Sequence, residues 1–299
     1  MSVQEKDSKR IVSRLAPTPS GYLHLGNAYN FILTWWIVKS LNGKLYLRID
    51  DADQARTRPE FLEDIFETLD WLGLDYDFGP QDSRDFLKNY SQGLKTETYF
   101  KTAMSAKGAF ACECSRKQIL AASADGIYKG VCAPKKLAFQ RGQCSLRLKT
   151  GGGPAVKVDG RAIDVNQVMG DFVLWRKDDI PSYQLTSVVD DKEMGTSLIV
   201  RGQDLLESSA AQIYLSEKLG WSHLGQCQFI HHPLLLDEKG EKYSKSQLQA
   251  GPSNIHLKTM RQEGLYIKDV LRMLEPRLGT GKESPANLQE LLKLKPPFI

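Results

Sequence analysis

Residues 11–49 constrain the fold more than any other stretch of the chain. IVSRLA at 11–16 reads as a short buried strand, after which Pro17, Pro19, Ser20 and Gly21 force a turn. From His24 to Leu41 the apolar residues Leu25, Ala28, Phe31, Ile32, Trp35 and Trp36 recur at helical spacing. Asn42-Gly43 stops that helix, and KLYLRI at 44–49 forms the next strand. A strand, a helix and a strand in this order predict two parallel strands, with the active end at their carboxyl edge.

The same periodicities organise the rest. Pro59 opens a helix with Phe61, Leu62, Ile65, Phe66, Leu69 and Leu72 on one face and Gly73 at its end. Residues 84–107 read as helical, 109–144 carry cysteines, and a strand-rich region follows through Val156, Ile163 and Val173. After YQLTSVVDD comes another α/β stretch: strand SLIVRG, helix DLLESSAAQIYLSEKLG and strand QFIHHPLLL. The expected layout is an α/β, Rossmann-type domain of residues 11–94 and 186–246. Residues 95–185 form an inserted α/β subdomain, and 247–299 a short helical tail. The polar residues 1–10 are expected to be disordered.

With 299 residues, 41% hydrophobic and 25% charged, the chain can bury a sizeable core. Its longest apolar run, Phe31 to Val38, is too short to cross a bilayer, and the N-terminus reads as no signal peptide. Five cysteines, an odd count, argue against a disulfide framework. A cytoplasmic protein is expected. The net charge of +4 permits a nucleic-acid partner without demanding one.

Two short motifs carry chemistry. His24-Leu25-Gly26-Asn27 sits where a turn hands over to a helix, whose unpaired N–H groups favour an anion. His24 and Asn27, three apart, can face the same phosphate, and Gly26 lets a nucleotide approach the backbone. A histidine at a helix start also reads as a plain cap. Lys242-Tyr243-Ser244-Lys245-Ser246 can close over a triphosphate and neutralise charge developing on pyrophosphate. It reads equally as a solvated charge cluster.

HLGN and KYSKS resemble the two motifs of class I aminoacyl-tRNA synthetases, in the expected order and about 220 residues apart. RLAPTPSGYLHLGN, LYLRIDDAD, YQLTSVVDD and IVRGQDLLES resemble the glutamyl/glutaminyl branch, so the similarity runs over residues 11–250. The resemblance implies attack of an amino-acid carboxylate on the α-phosphate of ATP, bound with Mg, followed by transfer to an acceptor. It implies that His24, Gly26, Asn27, Lys242, Ser244 and Lys245 bind ATP, with His24, Asn27 and Lys245 catalytic. Asn27 stands where the motif has its second histidine. Arg14, Ala16, Thr18, Asp50, Tyr183 and Arg201 fall in the family's glutamate-binding segments. Arg14 and Arg201 read alternatively as structural ion-pair residues. Asp50 departs from the glutamate usual in the glutamyl branch, and the lost methylene can alter which amino acid fits.

Cys112, Cys114, Tyr128 and Cys132 form a C-x-C…Y-x3-C array whose thiolates and phenolate can surround zinc, although C-x-C pairs also occur without metal. The array, with GIYKGVC at 126–132, resembles that of the truncated glutamyl-queuosine tRNA(Asp) synthetases, which implies zinc. Cys144 and Cys227 read as buried thiols. A full-length glutamyl-tRNA synthetase continues into an anticodon-binding region, whereas this chain ends about fifty residues beyond KYSKS. The resemblance therefore implies a monomer that acts on the queuosine base of tRNA(Asp). Lys117, Lys129, Lys135, Lys136, Lys258, Arg261 and Arg272 are candidate phosphate contacts, or plain surface charges. The rival readings are activation for another acceptor or of another amino acid, and a non-catalytic paralogue that binds RNA or an amino acid.

Overall fold

The computed structural model describes residues 10–123, 125–235, 256–281 and 285–299. Strand β1 (Val12–Leu15) lies parallel to β2 (Lys44–Leu47), with Val12 opposite Lys44 and Leu15 opposite Leu47. Helix α1 (Leu25–Ser40) is the crossover between them. It is buried continuously from Phe31 to Val38, because it is covered from several sides rather than along one stripe. Helix α2 (Pro59–Leu72) starts with proline in its first turn and ends at Gly73, whose φ of 72° is the left-handed cap that glycine adopts freely.

Residues 84–107, expected to be helical, are helical in several pieces. They divide into α3 (Ser83–Asp85), a π turn at Phe86–Tyr90, a 3-10 turn at Gln92–Lys95, and α4 (Thr96–Ser105). The break has a physical cause. The buried Asp51 carboxylate accepts from Ser91 Oγ at 2.5 Å and from Gln92 N at 2.7 Å, drawing the backbone out of helical register.

Next come β3 (Ala109–Cys112), α5 (Arg116–Ala122) and β4 (Ser145–Leu148), then a hairpin of β5 (Val156–Val158) and β6 (Arg161–Ile163). Helix α6 (Val165–Val168) leads to β7 (Phe172–Trp175), which completes an antiparallel sheet in the order β3-β4-β7. Helix α7 (Tyr183–Glu193), β8 (Leu198–Gly202), α8 (Leu206–Lys218) and β9 (Gln228–His232) return the chain to the first sheet. β8 and β9 form a parallel pair, and Ser197 N donates to Val12 O at 2.9 Å, which brings β8 beside β1.

Strand alternation sends side chains into two cores. Leu15, Leu45, Leu47, Leu198 and Val200 pack with α1, α2, α9 (Leu257–Gln262), α10 (Ile267–Leu278) and α11 (Leu288–Leu291). Thus the C-terminal helices belong to the same core as β1 and β2. Ile199 and Phe229 pack on the other side with α4, α7, α8 and the strands β4, β5 and β7. The expected domain boundary at 185 falls inside α7, and that at 95 inside the 3-10 turn. Residues 1–9 lie outside the described part of the chain.

Candidate active site

Three arginines project from the sheet toward α7. Arg14 on β1, Arg48 just beyond β2 and Arg201 on β8 are all buried. Arg48 binds Asp50 through Nε at 2.7 Å and Nη2 at 3.1 Å, and Asp191 through Nη1 at 3.0 Å. Arg14 Nε binds the same Asp191 oxygen at 2.8 Å. Arg201 has no carboxylate: its Nη1 donates to the neutral amide of Gln212 at 2.9 Å, while Nε and Nη2 have no partner among the described residues. The neighbouring Asp190 is occupied elsewhere, accepting from Tyr99 Oη and Gln92 Nε2, both at 2.8 Å, and pairing with Lys95.

This leaves three guanidiniums facing two carboxylates. The surplus positive charge sits at Arg201. Burial works against ionising Arg48, yet Asp50, Asp191 and Asp190 outweigh it and raise its pKa well above the ordinary value. For Arg201, burial and then repulsion from Arg14 outweigh the help of Tyr183 and Asp191, so its pKa is lowered. A guanidinium does not deprotonate in proteins, so this is a charge held at a cost. For Asp191, Arg14, Arg48 and Arg201 overcome burial and hold its carboxyl below the usual range.

His24 is the N-cap of α1. Gly26 N donates to His24 Nδ1 at 3.1 Å, and His24 N donates to Asn27 Oδ1 at 3.0 Å, a reciprocal capping box. With Nδ1 accepting, the neutral ring carries its proton on Nε2. Ala16, His24, Gly26, Asn27 and Arg201 line one cavity of about 230 Å³, together with Asn30, Asp204 and His232. His232 Nε2 lies 3.1 Å from Asn30 Oδ1. Arg14 and Asp50 belong to the arginine network, Thr18 is exposed in the turn after β1, and Tyr183 is the partly exposed first residue of α7. Lys242, Ser244 and Lys245 lie outside the described residues. A larger cavity of about 590 Å³ beside β2 and the π turn contains none of the expected site residues.

Sequence reasoning missed Arg48, Asp190, Asp191 and Gln212. Asp190 and Asp191 close the quoted run YQLTSVVDD, and two acidic residues ending an apolar helical turn were a signal of buried pairing. Gln212 gave none. Among the candidate phosphate contacts, Arg261 pairs with Asp64 at 3.1 Å and Glu67 at 2.5 Å, Lys258 Nζ donates to Tyr22 Oη at 2.9 Å, and Lys129 lies 3.7 Å from Asp125.

The sulfurs of Cys112, Cys114 and Cys132 lie within 4.8 Å of one another. Cys114 Sγ and Cys132 Sγ are 3.5 Å apart, too far for a disulfide and close to the sulfur spacing about a tetrahedral zinc. Tyr128 Oη accepts from Cys132 N at 2.7 Å and lies 4.0 Å from Cys114 Sγ. Burial raises the Cys132 thiol, but hydrogen bonds from Tyr128, the Glu113 backbone and its fellow thiols bring it down to about 7. Cys114 is pushed up to about 11, chiefly by burial and then by Cys132. The three sulfurs and the Tyr128 oxygen form one compact donor cluster. The donor set fits zinc. Gly170 shapes this corner: its φ is 59°, and a Cβ there would come within 2.4 Å of Tyr128 O. Cys144 is buried and bonded to Gln140, while the half-buried Cys227 thiol donates to Thr196 O and is pushed by burial up to about 12.

Comparison with known proteins agrees with this architecture. The family described as tRNA synthetases class I (E and Q), catalytic domain, matches residues 10–291. A glutamyl-Q tRNA(Asp) synthetase of Nitratidesulfovibrio vulgaris is 34% identical over 293 residues, covering 90% of this chain and 86% of that protein. A glutamate–tRNA ligase of Ruthia magnifica is 31% identical over 94% of this chain, which spans 61% of the ligase. A crystal structure of glutamate-tRNA synthetase from Elizabethkingia anophelis shares the fold, with a TM-score of 0.74 at 22% identity over 96% of this chain and 66% of that one. Among the described residues no helix is long and apolar enough to cross a membrane. The chain belongs to the class I tRNA synthetases of the E and Q type, a family of ATP-dependent ligases.

Proposed function

We propose that this ligase activates glutamate as glutamyl-adenylate and transfers it to the queuosine base of tRNA(Asp). The observation that carries the amino-acid half is the buried Arg201 guanidinium, bonded to no carboxylate and lining the cavity beside His24. A buried cation without an anion costs several kcal/mol, and a substrate carboxylate offsets that cost. Glutamate brings a side-chain carboxylate in addition to the reacting one. In this reading Arg201 anchors the side chain, with Arg14, Ala16, Thr18, Asp50 and Tyr183 around the rest of the substrate. His24, Gly26 and Asn27, at the N-terminus of α1, receive ATP phosphates carrying Mg. Lys242, Ser244 and Lys245 complete the nucleotide site on the strength of the KYSKS motif alone, and Lys245 offsets charge on the departing pyrophosphate.

The acceptor half is supported by relatives. Proteins named glutamyl-Q tRNA(Asp) synthetase match at 34% identity, in Nitratidesulfovibrio vulgaris over 90% of this chain and in Pseudomonas entomophila over 80%. Zinc held by Cys112, Cys114 and Cys132, with Tyr128 beside them, serves in this reading as a closed structural site that ties β3 to the 126–132 segment.

ATP–pyrophosphate exchange with a panel of amino acids, with and without tRNA, tests the first step. Exchange with glutamate and no RNA supports the proposal, and exchange with none of the panel rejects an activating enzyme. Transfer of labelled glutamate to tRNA(Asp) with and without queuosine decides the acceptor. Equal labelling of both would exclude the modified base.

A further inference from the structure

We infer that Gln212 is a positioning residue, fixing the Arg201 guanidinium while leaving its charge unspent for a substrate carboxylate. The inference rests on the reading of Arg201 as the carboxylate anchor.

Gln212 lies on α8 and is completely buried. Arg201 offers only donors, so the amide oxygen of Gln212 must be the atom facing it, at 2.9 Å. The amide nitrogen then points away and finds no partner among the described residues. A buried amide with half its hydrogen-bonding capacity unused is costly where an apolar side chain of similar size would fit. Something about the contact with Arg201 therefore requires it.

The other two arginines on this face show what is unusual. Arg14 and Arg48 meet carboxylates, whereas at Arg201 the equivalent place is taken by the neutral amide of the same shape. A carboxylate at 212 would form a charge-assisted pair with Arg201 and compete with any substrate anion. An apolar side chain would leave Nη1 without its acceptor and the guanidinium free to turn. The guanidinium also lies over the Phe229 ring, 5.8 Å from Arg201 Cζ, a contact that leaves its charge intact. A neutral acceptor is the kind of side chain that orients the fork without neutralising it.

The test is the isosteric Gln212→Glu variant, with Gln212→Met as its apolar counterpart. In ATP–pyrophosphate exchange, Gln212→Glu should raise the glutamate KM about 30-fold, the scale of one charge-assisted contact, with kcat and the ATP KM within about threefold of wild type. Its preference for glutamate over glutamine should fall, and its thermal midpoint should not drop, because the new pair is formed inside the fold. Gln212→Met should raise the glutamate KM by less than Gln212→Glu. Calorimetric titration with glutamate gives the same ranking without turnover. A glutamate KM for Gln212→Glu within about threefold of wild type overturns the inference, and so does a proportional loss in kcat with a lowered midpoint. Arg201→Ala separates the two claims: an unchanged KM in that variant rejects the anchor itself, whereas a raised KM beside a normal Gln212→Glu rejects only the role of Gln212.

Discussion

Arg48 holds Asp50 in a fork, Nε to Oδ1 at 2.7 Å and Nη2 to Oδ2 at 3.1 Å, although the two residues are only two positions apart. The fork occupies both oxygens of Asp50, so this side chain is part of the arginine network before any substrate arrives. Asp50→Ala should cost about 3 kcal/mol in urea unfolding, because it leaves Arg48 with only the shared Asp191. Asp50→Glu lengthens the side chain inside a fork sized for aspartate. It should lose stability by about 1 kcal/mol and shift the glutamate KM, while an unchanged KM would separate Asp50 from amino-acid selection.

Arg201 should behave in the opposite way in stability. Removing a buried charge that lacks a carboxylate relieves a cost instead of creating one. Arg201→Met should therefore leave the urea midpoint unchanged or raise it, while raising the glutamate KM about 100-fold. Arg14→Met, which strips Asp191 of a direct partner, should destabilise by about 2–3 kcal/mol. Equal destabilisation by the two variants would contradict the charge count of the site.

Local signals made some of this molecule readable and left the rest hidden. The β1-α1-β2 unit was legible because alternation, helical spacing and Asn42-Gly43 all lie within forty residues. The division of residues 84–107 into several helical pieces was not legible, because the cause of the break, Asp51, lies about forty residues away in sequence. His24 and Asn27 were found by motif, but their capping bonds are visible only in the fold. Gln212 illustrates the limit. One glutamine in a helix of mixed composition carries no mark until Arg201, eleven positions earlier on a strand, is seen against it.

Low pH should unfold this chain through its histidines. His223, His231, His232 and His256 all have pKa values lowered from the ordinary value, in each case chiefly by burial. Such a histidine is neutral when folded, so the unfolded chain takes up the extra proton. Their contribution is complete above the unfolded value of about 6.5 and is lost as pH falls toward the folded values. Asp51 and Asp64, raised by burial, contribute the opposite slope at the acidic end. The thermal midpoint should fall between pH 7.5 and 5.5. His223 has neither ring nitrogen partnered among the described residues, so His223→Leu should reduce that fall. A flat profile, or one unaffected by the substitution, would count against this origin.

The cysteine cluster makes the last prediction separable from activity. If Cys112, Cys114 and Cys132 hold zinc, purified protein should contain about one zinc per chain by elemental analysis, and Cys112→Ser or Cys132→Ser should lose it. Tyr128 is the informative position. Its oxygen already accepts from Cys132 N, so it supports the loop whether or not it also touches the metal. Tyr128→Phe removes the oxygen but keeps the ring against Arg147, whose guanidinium lies 4.2 Å from the ring centroid. Retention of zinc with about tenfold weaker affinity, measured by competition with a chromophoric chelator, is the expected result and assigns Tyr128 a supporting role. Complete loss, equal to that of the cysteine variants, would make the phenolate a ligand. Chelation of the wild type should lower its thermal midpoint, because the metal would tie Cys112 on β3 to Cys132 in the 128–132 segment.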